Sequence, residues 1–207
     1  LDTIERAADQ AASLTRKILS FSRGGSQDNL EILQLNEVIA EFTKMFRRVL
    51  DRKIEIVENL EADLWNIKAE RAQLEQVLMN LSVNSRDAMP EGGQLVFETS
   101  NVVVGGNDDS QLDVKLEAGK YVCLGVLDSG SGIPQKFMDK IFDPFFSSKK
   151  EGQGTGLGLS VVYGIVKICR GLIDVKSKEN EGTQFRIYFP VSEEKVEPIQ
   201  EVSEKIV

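Results

Sequence analysis

The chain has 207 residues, and its 25 basic and 33 acidic side chains leave a net charge of -8, which opposes sequence-independent binding to nucleic acid or an anionic membrane surface. It contains no histidine, which removes histidine-based metal ligation, a serine-hydrolase triad and any histidine phosphoacceptor within it. No apolar run approaches the roughly 20 residues that span a bilayer, and Leu1 to Gln10 do not resemble a signal peptide, so one soluble, cytoplasmic main domain without direct membrane contact is expected.

Residues 1 to 23 carry Leu1, Ile4, Ala8, Ala11, Thr15 and Ile18 at three-four spacing, the stripe of a helix that buries one face against partner helices. Gly24-Gly25-Ser26 breaks that pattern before the main domain. A strand from Leu30 to Leu35 follows, then a helix capped by Asn36 and running to about Leu50, then strands near Lys53 to Glu58 and Leu64 to Lys68. A second helix is predicted over about Glu70 to Met89, burying Leu74, Val77, Leu78, Leu81, Val83 and Ala88, and Pro90-Glu91-Gly92-Gly93 ends it. Strands near Gln94 to Val104 and Tyr121 to Asp128 form an antiparallel pair across the polar loop Gly105 to Gly119. A helix over about Gly156 to Arg170 precedes a hairpin of Leu172 to Lys176 and Gln184 to Phe189 around Glu179 to Gly182. The domain is expected to end near Pro190, and residues 191–207, rich in Glu and Lys, read as a linker or tail. Cys123 and Cys169 lie in apolar runs and read as small buried hydrophobes, with no disulfide or metal site proposed.

Polar residues interrupt this framework in four places. Gly152 to Ser160 sets glycines at alternate positions ahead of a helix, which reads either as a flexible loop or as a phosphate cradle whose N–H groups approach an anion closely. The dinucleotide fingerprint fails because no strand precedes these glycines, and no window supplies a Walker-type loop. On the second helix Asn80, Asn84 and Asp87 share one face, where they either cap backbone or line a polar pocket, and the Asn84 amide oxygen suits magnesium shared with substrate phosphates. Asp128 enters the glycine turn Asp128-Ser-Gly130-Ser-Gly132-Ile133, where it either closes a local turn or accepts a hydrogen bond from an exocyclic amine such as that of adenine. Ile141 to Phe146 is an aromatic box that anchors a loop, and Lys149 is either a phosphate contact or a solvated surface lysine.

Together, Asn80-Leu-Ser-Val-Asn84, Asp128-Ser-Gly-Ser-Gly-Ile, Phe142-Asp-Pro-Phe-Phe and Gly154-Thr-Gly-Leu-Gly-Leu, in that order and spacing, resemble the catalytic and ATP-binding domain of bacterial sensor histidine kinases of the GHKL superfamily. The resemblance covers about residues 27–190. It implies an α+β, two-layer α/β sandwich, the Bergerat ATP-binding fold, with a mixed sheet covered on one face by helices. It implies ATP with Mg2+ as ligands. The site residues would be Asn80, Asn84, Asp87, Asp128, Gly130, Gly132, Ile133, Lys149, Gly154, Thr155, Gly156, Leu157, Gly158, Leu159 and Thr183, with Asn84 on the metal and Thr183 near adenine.

The resemblance also makes residues 1–24 the second helix of a dimerisation and phosphotransfer hairpin, whose first helix would carry the phosphoacceptor histidine. The chain is then expected to bind ATP without phosphorylating itself, and a homodimer through residues 1–23 stays open. Its partners would be the histidine-bearing hairpin helix of the parent kinase, which is itself either soluble or membrane-anchored, and a response-regulator receiver domain. The tail reads either as a linker towards a receiver domain or as a frayed terminus.

Two residues depart from the family pattern: Gly171-Leu172 stands in place of paired glycines, and Asp87 in place of a phosphate-contacting lysine. ATP-hydrolysing machines of the same fold carry a glutamate where this chain has Asn80, and a neutral amide cannot act as a base for water, so slow hydrolysis is expected. A GHKL-type ATPase domain and an interaction module with a vestigial nucleotide site are the alternatives.

Overall fold

Period-two alternation in five segments spread along the chain builds one five-stranded sheet. A computed structural model describes residues 30–105, 116–147 and 155–192. The expected hairpin helix in residues 1–24, Lys149, Gly154 and most of the tail lie outside the described residues. In chain order the elements are β1 (Glu31–Leu33), α1 (Leu35–Phe46), β2 (Ile54–Asn59), β3 (Ile67–Ala69), α2 (Arg71–Ala88), β4 (Gly93–Val104) and β5 (Gly119–Asp128). A 3-10 helix (Gln135–Lys140), α3 (Gly158–Ile168), β6 (Leu172–Lys178) and β7 (Gly182–Pro190) complete the fold.

The sheet order is β2-β4-β5-β7-β6, with β2 parallel to β4 and every other neighbour antiparallel. Phe97, Val126 and Phe185 are partners across three strands, and Thr99, Leu124 and Ile187 form the next rung. All six are buried, because residues two apart on a strand share a face and this face meets the helices. Helix α2 packs on β4 and β5 with α1 on one side and α3 on the other, while α3 lies over β6. The Phe42 ring of α1 meets Phe97 edge-on at 6.1 Å, tying that helix to the sheet. The result is the mixed-sheet, two-layer α+β architecture that the motifs imply.

Local differences have local causes. The strand expected over Leu30 to Leu35 shrinks to three residues, because β1 pairs only with β3 in a small separate sheet. Helix α1 starts at Leu35 with Gln34 as its N-cap residue, so Asn36 is not the cap. Its amide instead donates to the Glu61 carbonyl at 2.7 Å and accepts from Thr99 Oγ1 at 2.9 Å, joining α1 to β4 and the β2–β3 loop. On α2, Ser82 and Ser85 are buried, whereas Val83 and Ala88 are only half-buried. The domain continues past Pro190: Val191 bridges to Ile67, and the Ser192 N–H donates to the Asn66 carbonyl. Cys123 and Cys169 are buried free thiols, each pushed up to about 11 chiefly by that burial. Among the described residues no helix is long and apolar enough to cross a membrane.

Candidate nucleotide site

The last rung of the helix-covered sheet face is polar. Two residues beyond Val126 on β5 comes Asp128, whose partner on β7 is Thr183, whose partner on β6 is Ser177. Period-two alternation puts all three on the side that α2 covers, directly after apolar rungs. The contacts agree: Ser85 of α2 donates its hydroxyl to Asp128 Oδ2 at 3.0 Å, and the Gly130 N–H donates to Oδ1 at 2.9 Å. Burial pushes the Asp128 carboxyl up from its ordinary 3.8, opposed by hydrogen bonds from Gly130, Ser85 and the Thr183 backbone. An ionised carboxylate has about four lone-pair sites, so acceptor capacity remains for an amino group.

The glycines of the Asp128 turn are required by protein contacts. A Cβ on Gly132, at φ +67°, would stand 2.0 Å from the Lys178 carbonyl oxygen, and one on Gly130 would meet the Cβ and carbonyl of Ala88 at 2.7 and 2.8 Å. Close packing of the turn between the end of α2 and the β6–β7 hairpin therefore explains both residues. The Ile133 N–H donates to Ser177 Oγ at 2.8 Å, and the Asn180 N–H to the Ser131 carbonyl at 2.8 Å, fixing turn to hairpin.

The second half of the site lies where α3 starts. Gly158 faces α2: a Cβ built there would sit 3.8 Å from Asn84 Nδ2 and 4.0 Å from Asn80 Cβ. Both amides are half-buried, and neither side chain has a hydrogen-bond partner among the described residues. Leu157, the N-cap residue of α3, offers no side-chain acceptor, and the first intrahelical bond from this turn is Val161 N–H to the Leu157 carbonyl at 3.0 Å. The preceding N–H groups are left for an external acceptor, and the partial positive charge of the helix end favours an anion. Uncommitted amide oxygens beside an anion-binding helix end fit a hard cation shared with phosphate. Among the described residues no group of three Cys, Asp or Glu side chains could hold a metal, so such an ion would draw its other ligands from nucleotide and water.

Of the other expected site residues, Gly156 takes φ +65° and packs so tightly that a Cβ would lie 2.4 Å from the Phe145 carbonyl carbon. The aromatic box is thereby joined to the glycine segment. Phe142 stacks at a tilt on Tyr163 of α3, ring centroids 5.3 Å apart, and Phe137 meets Phe146 at 5.5 Å. Ile141 is buried, but Phe145 is 65% exposed with φ +67°, so the box anchors through three of its four large apolar residues. Thr155 is exposed, Leu157 buried and Leu159 half-buried. Asp87 is exposed at the far end of α2 and accepts from Arg86 Nη2 at 2.7 Å and Nε at 3.0 Å. Ser85 and Ser177 are the participants that motif reading passes over. A serine inside the apolar stripe Leu74, Val77, Leu78, Leu81 of α2 is the signal for the first.

The description of a family, histidine kinase-, DNA gyrase B- and HSP90-like ATPase, fits residues 69–193. Sensor kinase CckA of Brucella abortus (strain 2308) is 44% identical over 188 residues, which are 90% of this chain and 20% of that protein. Sporulation kinase A of Bacillus subtilis (strain 168) is 33% identical over 77% of this chain and 24% of its own length. The chain thus spans a fifth to a quarter of the length of these two relatives. Among solved structures, the nucleotide-free catalytic domain of histidine kinase ThkA superposes with a TM-score of 0.62 at 27% identity, covering 78% of this chain and 95% of that domain. The family match spans α2, the Asp128 turn, the start of α3 and Thr183, the elements on which the site is built, and the chain belongs to the histidine kinase-, DNA gyrase B- and HSP90-like ATPase family.

Proposed function

We propose that the chain is the ATP-binding catalytic domain of a two-component sensor histidine kinase, which passes the γ-phosphoryl group of ATP to a histidine on a hairpin helix outside this chain. The observation that carries this reading is the pairing of two uncommitted amides, Asn80 and Asn84, with the uncapped start of α3, across α2 from a half-buried, hydrogen-bonded Asp128. Asp128 accepts from the adenine amino group beside Thr183. The Asn84 oxygen and the first-turn N–H groups of α3 hold the triphosphate and its Mg2+, with Gly156 to Leu159 alongside it. When bound, Mg2+ neutralises charge on the phosphate oxygens. Asn80, a neutral amide, has no useful basicity, so water in the site is not activated and the phosphoryl group is preserved for the histidine. We place this domain in the cytoplasm, where ATP is supplied, and a response-regulator receiver domain takes the phosphoryl group from the histidine.

The test combines the chain with γ-labelled ATP, Mg2+ and a separately produced hairpin bearing the histidine. Acid-labile, base-stable label on the hairpin is the expected result. Saturable ATP binding with steady release of inorganic phosphate and an unlabelled hairpin would overturn the kinase assignment in favour of an ATPase.

A further inference from the structure

Ser177 of β6 touches three other polar groups, and their chemistry determines which way its proton points. Its Oγ accepts from the Ile133 N–H at 2.8 Å, lies 3.0 Å from the Gly182 carbonyl oxygen, and lies 2.9 Å from Thr183 Oγ1. A carbonyl can only accept, and a serine has one proton with two lone pairs. Donating that proton to Gly182 leaves Ser177 one lone pair for Thr183, which must then be the donor. All three of Ser177's bonding positions are then used, and the Thr183 hydroxyl proton is turned towards β6.

We infer that Ser177 is a specificity-determining residue: by drawing the Thr183 proton away from the ligand, it leaves Thr183 as an acceptor beside the acceptor Asp128. This rests on the placement of adenine at Asp128 and Thr183 proposed above. Two acceptors side by side match a purine that presents an amino group at its 6-position. They oppose one that presents a carbonyl oxygen there, because a buried acceptor facing an acceptor is left unpaired. Ser177 belongs to none of the glycine or asparagine segments and acts through Thr183 as a positioning residue.

Purine riboside triphosphate is the fitting probe, since relative to ATP it lacks only the 6-amino group and keeps N1 unprotonated as in adenine. Affinities of the whole chain for both nucleotides in Mg2+ would be measured by calorimetry, with circular dichroism as the check on fold. The wild-type chain should prefer ATP. Ser177→Ala frees the Thr183 proton to turn to the ligand and removes one acceptor for the 6-amino group, so the ratio of ATP affinity to that for purine riboside triphosphate should fall about tenfold, the worth of one neutral hydrogen bond. Ser177→Thr, which keeps a hydroxyl on the strand, should restore it. A purely structural Ser177 would weaken both nucleotides alike and leave the ratio unchanged, which would overturn the inference. Should Ser177→Ala not fold, Thr183→Val removes the oriented hydroxyl directly: it must lower the same ratio, and an unaltered ratio refutes the inference equally. Failure of the wild-type chain to bind either nucleotide would instead sink the ATP assignment itself.

Discussion

Replacing Asp128 by Asn changes one oxygen to an amide nitrogen with no change of volume, so it isolates the charged acceptor. In the wild-type chain Asp128 Oδ1 and Oδ2 are held by Gly130 N–H and Ser85 Oγ, leaving the carboxylate oriented for an incoming amino group. A hydrogen bond to a charged group contributes about 1.5–3 kcal/mol, so Asp128→Asn should weaken ATP by roughly ten- to 150-fold in Kd by titration calorimetry. The fold should not suffer. Partial burial raises the carboxyl pKa in the folded state, so its contribution to stability is present below 3.8 and lost as pH rises through the folded value; at pH 7 the partly buried charge is a cost that Asn avoids. The Ser85 hydroxyl can accept from the new amide, and the melting temperature of the nucleotide-free Asp128→Asn chain should match or exceed that of the wild type. On acidification the wild-type carboxyl gains a proton at a higher pH than an ordinary carboxylate and loses its charge, so its bond to the adenine amino group should weaken there, a loss that the Asp128→Asn chain does not share. Unchanged ATP affinity in Asp128→Asn would refute the adenine assignment outright.

Asn84→Ala removes a half-buried amide that has no partner among the described residues, so stability should stay within about 0.5 kcal/mol while Mg2+-dependent ATP binding is lost; titrations with and without chelator that differ as much as in the wild type would contradict this. Gly156→Val forces a β-branched residue into φ +65° against the Phe145 backbone, costing at least about 1–2 kcal/mol from the left-handed conformation alone, read as a lower urea midpoint, together with weaker ATP binding. A variant with wild-type midpoint and affinity would show that the Phe145–Gly156 contact is not needed. Leu81→Ala opens a cavity beneath α2, where Leu81 is fully buried, and should cost about 2–5 kcal/mol in urea unfolding with ATP recovering part of the loss; a change under 1 kcal/mol would mean that α2 does not sit on the core as described.

The five strands of the main sheet and helices α2 and α3 are legible in the sequence because their apolar residues repeat at two or at three to four over long enough runs. Short elements are less so: β1 is three residues long and forms only because β3 reaches it from more than thirty residues away. Asn36 illustrates the limit of capping signals, since its preference for a helix start is real, but Thr99 and Glu61, distant in the chain, offered its amide better partners. Asn80, Asn84 and Asp128 could be singled out because polar residues interrupt apolar stripes. The reason for Gly130 and Gly132 could not, since the atoms that exclude a Cβ belong to Ala88 and Lys178. Ser177 was hidden for a related reason: an alternating strand tolerates serine on either face, and only the register with Thr183 shows which face it takes.

The two halves of the site rest on different supports. Asp128 and Thr183 occupy the rung that follows Val126–Phe185, so the same strand register that packs the core also positions the proposed adenine acceptors. Their geometry is set when the sheet folds, and ligand binding spends little energy in ordering them. The proposed phosphate half depends on how α3 approaches α2, through the narrow gap between Gly158 and the Asn80 and Asn84 amides and through Phe142 on Tyr163. A substitution in the sheet should therefore alter which base is accepted, whereas one at the α2–α3 approach should alter how tightly any triphosphate is held. A kinase benefits from that separation, because base identity can be read by rigid groups while the phosphates stay in reach of an acceptor on another segment.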